Sequence, residues 1–113
     1  MTWLVSGRRG NLMKIKINNH TWEVVFFERT DERYDGITSE SDMTIQVNKK
    51  LSKQAKKHCL IHELVHAHLD SFGFDNYVLQ KMTIEQVCEF VAHNVDSIQY
   101  LAEKILEKHE KEN

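Results

Sequence analysis

From Met13 the chain alternates polar and apolar side chains, Lys14-Ile15-Lys16-Ile17, the two-residue period of a strand with one buried face. Asn18-Asn19-His20 interrupts it with turn-forming residues. Thr21-Trp22-Glu23-Val24-Val25-Phe26-Phe27, rich in β-branched and aromatic side chains, then predicts a second strand and a hairpin partner, with Trp22, Phe26 and Phe27 as core. The polar stretch 28–35 predicts a loop that ends at Gly36. Gly36-Ile37-Thr38 and Met43-Thr44-Ile45-Gln46-Val47 predict two more short strands, parted by the charged tip 39–42, and Asn48 closes the sheet region.

After Leu51 the period changes. Ala55, Cys59, Leu60, Leu64, Ala67 and Leu69 recur at steps of three and four, which predicts a helix over roughly 52–70. Ser71-Phe72-Gly73 ends it, and 72–82 reads as a connector. Thr83 with Gln86 three residues later forms a capping box, the signature of a helix start. Val87, Phe90, Val91, Val95, Ile98, Leu101 and Ile105 carry an apolar stripe onward to about Lys108, either as one long helix or as two with a break near 94–96. Strands followed by helices, with no repeat and no proline, predict an α+β domain over 13–113. It comprises a small antiparallel or mixed sheet, then one helix, then a long C-terminal helix. Residues 1–12 read as an extension outside it, either non-native sequence ahead of a natural start at Met13 or a disordered arm.

Composition narrows the chemistry. At 113 residues the chain fits one domain. With 41% hydrophobic and 28% charged residues and a net charge of −2, it carries no bulk electrostatic drive toward nucleic acid or anionic membrane. No apolar run approaches a membrane span. Two cysteines without a CxxC, Cys59 and Cys88, give no disulfide framework and suit a cytoplasmic protein with reduced, packed thiols. Seven histidines are many for this length, and three fall within His62–His68. That clustering points to a metal.

The cluster contains His62-Glu63-Leu64-Val65-His66, an HExxH pattern inside the first predicted helix. Residues at i and i+4 share one helix face with Cβ atoms about 5–6 Å apart, and two imidazoles so placed converge on one zinc at about 2.0–2.1 Å per bond. Glu63, rotated about 100° from His62, is poorly placed as a ligand but within reach of water beside the ion, the position of a general base. At this chain's His and Glu content the bare pattern arises by chance in roughly four such chains per hundred. The neighbours weigh against chance: Leu60, Ile61, Leu64 and Val65 mark a buried stretch, where His and Glu are costly unless paired or metallated.

A third protein ligand is expected on the second helix. Glu85 and Glu89 stand four apart there, with Glu85 as ligand and Glu89 bonding the free nitrogen of a ligand histidine. The alternative for Glu85 is an acid in a first turn, where it simply complements the helix dipole. His62-Glu63-Leu64-Val65-His66 followed by Glu85-Gln86-Val87-Cys88-Glu89-Phe90-Val91-Ala92 resembles the ImmA/IrrE family of zinc metallopeptidases over roughly 36–92. The resemblance implies His62, His66 and Glu85 as ligands of one zinc ion, Glu63 as catalytic base and Glu89 in the second-shell position. It also implies a minimal zincin-like core in which a strand such as 43–47 lies beside the HExxH helix and receives an extended peptide. His93-Asn94-Val95-Asp96 departs from the family's usual continuation and no DNA-binding module is attached, so repressor cleavage is not carried over. Such short forms resemble proteins of phages and mobile elements, which implies a bacterial host or a phage-infected cell.

The function expected is hydrolysis of a peptide bond in a protein or peptide substrate by metal-activated water. For the oxyanion, His93, Tyr77 and Tyr34 are candidate donors, each also readable as a surface or packing residue. His58 lines the cleft or is solvated, His68 points away from the metal shell, and Cys88 packs. The competing class is a non-catalytic protein stabilised by zinc that docks on a host or phage partner, since small cores often need such a staple. Glu63 discriminates between them, because a purely structural site has no use for an acid facing metal-activated water.

Overall fold

The computed structural model describes residues 12–28 and 34–112. Apart from Leu12, the extension expected at 1–12 lies outside the described residues. The chain is α+β: strands β1 (Leu12–Ile17), β2 (His20–Phe27), β3 (Gly36–Ser39) and β4 (Thr44–Asn48) precede helices α1 (Lys53–Ser71), α2 (Asn76–Gln80) and α3 (Ile84–Lys111). β1 and β2 form the expected hairpin. Asn18 and Asn19 both take positive φ, 48° and 66°, the two-residue turn whose twist matches the flanking strands.

The sheet order is β1-β2-β4-β3, antiparallel except that β2 and β4 run parallel. The chain leaves β2, builds β3 at the far edge and returns through a tight turn to insert β4 between them. β4 is therefore an interior strand with both edges paired. A peptide cannot add to β4, and among the described residues the edge strands of the sheet are β1 and β3. The expectation of strand 43–47 as peptide receiver is corrected on that point.

Trp22, Val24, Phe26, Ile45 and Val47 share one face of the sheet and join Leu60, Leu64 and Ala67 of α1 in the core. Phe27, one residue past Phe26, is buried on the opposite face. Trp22 is fully buried and satisfies its indole N–H on Ser71 Oγ at 2.8 Å, while Asn18 Nδ2 donates to Ser71 O at 2.9 Å. The C-terminal end of α1 is thus tied to the β1–β2 hairpin.

Ser52 caps α1 by accepting from Ala55 N–H. The helix ends in a Schellman motif: Gly73 at φ 84° donates to Asp70 O, and Phe74 donates to Leu69 O at 2.8 Å. The connector contains the short helix α2, capped by Asp75. Thr83 and Gln86 form the predicted capping box of α3. α3 is one helix of 28 residues, without a break at 94–96. There Asn94 is buried and its Nδ2 is satisfied within the helix by donating to Phe90 O, one turn back.

α1 and α3 run antiparallel, as two contacts show: Lys53 pairs with Glu110 at 3.4 Å and His68 Nε2 meets Ser97 Oγ at 3.2 Å. The 28 residues of α3 span about 42 Å and the 19 of α1 about 28 Å. The first three turns of α3 therefore extend past the end of α1.

Candidate functional site

α1 presents its core face through Leu60, Leu64 and Ala67, which rotates His58, His62 and His66 onto an exposed stripe one turn apart from each other. The His62 and His66 rings stand with centres 5.0 Å apart and planes at 68°. Two imidazoles on one tetrahedral zinc at about 2.0–2.1 Å per bond have ring centres roughly 5 Å apart. The observed ring spacing is the same as that distance.

Glu63 is 7% exposed and turns the other way, into the seam between α1 and β3. Thr38 Oγ1 lies 2.6 Å from Glu63 Oε1 and 3.2 Å from the Glu63 carbonyl, and its hydroxyl donates to the carboxylate. Thr38 and Gly36, two apart on β3, face the helix together. A Cβ on Gly36 would meet Cys59 Sγ at 2.5 Å, Gln46 O at 2.9 Å and Glu63 Cγ at 3.2 Å. Only glycine lets β3 come this close, and that approach brings Thr38 onto Glu63. Burial, then the nearby carboxylates of Glu63 and Asp35, push the Cys59 thiol up to about 12, so this cysteine stays protonated and packs.

The seam opens into a cleft. A cavity of about 670 Å³ runs from Ser52 past His58 to His62 and Glu63, and one of about 290 Å³ continues it past Thr38 and Glu40 to His66. Tyr34, Gly36, His62 and Glu63 line both. No family model, curated protein or solved structure matches the chain.

The expected carboxylates lie elsewhere. Glu85 and Glu89 line a separate groove of about 430 Å³ with Phe72, Phe74, Phe90 and His93. Among the described residues no group of three His, Cys, Asp or Glu is placed to hold an ion. The arrangement assembles the imidazole pair and the acid between them, and keeps Glu85 apart.

Of the oxyanion candidates only Tyr34 lines the cleft. His93 stands in the second groove, 6.3 Å from Phe72, and Tyr77 is exposed on α2 under Lys81. Cys88, expected to pack, is exposed. His68 does lie off the face of His62 and His66, but it is buried rather than free: its Nδ1–H donates to Leu64 O at 2.7 Å and its Nε2 accepts from Ser97. Sequence reasoning missed Thr38 and Glu40. For Thr38 a signal existed, since a glycine inside a strand marks close backbone approach and its i+2 neighbour shares the approaching face. Glu40 sits in a charged tip and had none.

Proposed function

We propose that the chain is a zinc-dependent metallopeptidase, with His62 and His66 holding the ion and Glu63 acting as general base. The observation that carries this reading is the 5.0 Å spacing of the two imidazoles on a helix face that shares its cleft with Glu63. A zinc ion there supplies Lewis-acid polarisation of the scissile carbonyl and a lowered pKa for water. Glu63 accepts the proton of the attacking water and delivers it to the leaving amine nitrogen as the C–N bond breaks. Thr38 fixes Glu63 Oε1 by a hydrogen bond and leaves the second carboxylate oxygen for that transfer. The substrate is a protein or peptide that adds as an extended strand to the β3 edge beside the cleft. The wider setting proposed is the cytoplasm of a bacterial host or phage-infected cell, in phage or mobile-element regulation, on a minimal zincin-like core.

A second reading has one observation in its favour. A groove walled by Phe72, Phe74 and Phe90 lies apart from the histidines, a surface that suits a zinc-stabilised regulatory protein binding a partner without turnover.

The test is a set of three substitutions. His62→Ala and His66→Ala each remove bound zinc, measured by elemental analysis of purified protein. Glu63→Gln keeps zinc and abolishes cleavage of a peptide library. Unchanged metal content in both histidine variants overturns either reading, and cleavage that survives Glu63→Gln overturns the catalytic one. Zinc lost with the histidines but no cleavage by the parent chain selects the regulatory reading.

A further inference from the structure

Glu85 and Glu89, one turn apart on α3, stand at a groove whose walls are phenyl rings. Phe74 packs edge-on against Phe90 with ring centres 5.5 Å apart, and Phe72 stands at right angles to His93. Glu85 and Glu89 are both exposed, and among the described residues neither forms an ion pair. Among the described residues no lysine or arginine lines the groove. One carboxylate in a first turn is explained by the helix dipole. A second, at position 89, is beyond that reach, and neither accounts for three aromatic side chains grouped below them.

We propose that this groove is a docking site for a partner protein segment that inserts an arginine or lysine flanked by apolar side chains. The complement of an aromatic wall with two unpaired carboxylates at its rim is a cation on an apolar stem. The stem lies against the rings, the charge meets the ring faces and both acids, and flanking apolar side chains cover Phe72 and Phe74. Arginine suits the site best, because its planar guanidinium stacks on rings and presents several donors to carboxylates. The Schellman turn at Gly73 fixes the backbone that carries Phe72 and Phe74. The site is independent of the metal reading, since none of its residues lines the α1–β3 cleft.

The test uses the full chain with ¹³C-labelled phenylalanine, titrated with the tripeptide N-acetyl-Leu-Arg-Leu-amide and followed by NMR. Saturable shifts are expected at Phe72, Phe74 and Phe90. The same peptide with citrulline, neutral and nearly isosteric, is expected to bind about fivefold more weakly. That difference disappears in the double variant Glu85→Gln, Glu89→Gln. Equal binding of the citrulline peptide, or shifts confined to other residues, overturns the proposal. Binding of spermidine without binding of the tripeptide also overturns it, in favour of a free polyamine site. The comparison of the two peptides on the parent chain decides the matter without any variant having to fold.

Discussion

The two halves of α3 carry the same apolar stripe and meet opposite fates. From Asn94 onward, Ile98, Ala102, Ile105 and Leu106 are buried against α1 and the sheet core. Before it, Ile84, Val87 and Val91 continue the stripe but are 81%, 46% and 51% exposed. Among the described residues, antiparallel α1 covers the helix as far as Ser97, and beyond it the connector at Phe72–Phe74 touches one side. A periodic stripe fixes the helix and its inward azimuth. It does not fix where along the axis the neighbour stops.

That difference is sharpest in a pair of truncations on one stripe. Ile105→Ala leaves a cavity in the core and is expected to cost about 3 kcal/mol. Val91→Ala removes methyl groups about half exposed to water and is expected to stay within about 0.5 kcal/mol. Urea unfolding of both variants measures the contrast. Equal costs would mean that the N-terminal half of α3 is covered in solution and that the contrast between the halves is wrong.

The same contrast explains what the sequence made legible. The strands, the helix over roughly 52–70, the capping box at Thr83 and the α+β order all follow from local period and turn chemistry, and each is present. The pairing of His62 with His66 is legible too, because i and i+4 on a helix are neighbours whatever surrounds them. The place of Glu85 depends on how far α3 overlaps α1, a long-range quantity that no window of residues encodes. Expecting Glu85 beside the histidines assumes a helix that folds back alongside α1 near its start. α3 instead passes Asn94 unbroken, which leaves Glu85 three turns out. The interior position of β4 was hidden for a similar reason: strand order within a sheet is set by which hairpin closes on which edge, and the alternation of 43–47 is the same in either place.

Acid sharpens the comparison next, because a buried histidine stands on each side of the contact between α1 and the packed half of α3, His68 on α1 and His109 on α3. His109 stacks on Phe26 with ring centres 3.8 Å apart, and its Nε2 accepts from Lys56 at 3.3 Å. Burial, with the Lys56 charge second, holds His109 below the ordinary histidine range, and burial does the same for His68. With the folded-state pKa lowered, the unfolded chain binds protons more readily. The stability is fully present above about pH 6.5 and is lost as pH falls through that value toward the folded-state pKa. The expected slope is at most about 1.4 kcal/mol per pH unit for each histidine. Urea midpoints at pH 7.5 and 5.5 measure it, and a midpoint unchanged between them would show that neither histidine is kept neutral by the packing of α1 and α3.

The smallest expected effect lies at the boundary between the halves, where Ser97 donates to His68 Nε2 in the last hydrogen bond between α1 and α3. The tautomer follows from the network, because the carbonyl of Leu64 can only accept and so places the His68 proton on Nδ1. Ser97 is exposed, so in Ser97→Ala water can take over part of the lost bond and the cost at neutral pH is expected to be about 0.5 kcal/mol. The pH dependence carries more information than that cost. The Ser97 hydroxyl can rotate to bond either form of His68, donating to neutral Nε2 or accepting from a protonated Nε2–H, so burial is what holds this histidine below its ordinary range. Ser97→Ala should therefore lower stability by about the same amount at pH 7.5 and at pH 5.5, as urea unfolding at the two pH values measures. Stability curves that converge toward acid would instead mean that Ser97 bonds only the neutral form of His68, and that the contact ending the packed half of α3 is a matter of the proton as well as of shape.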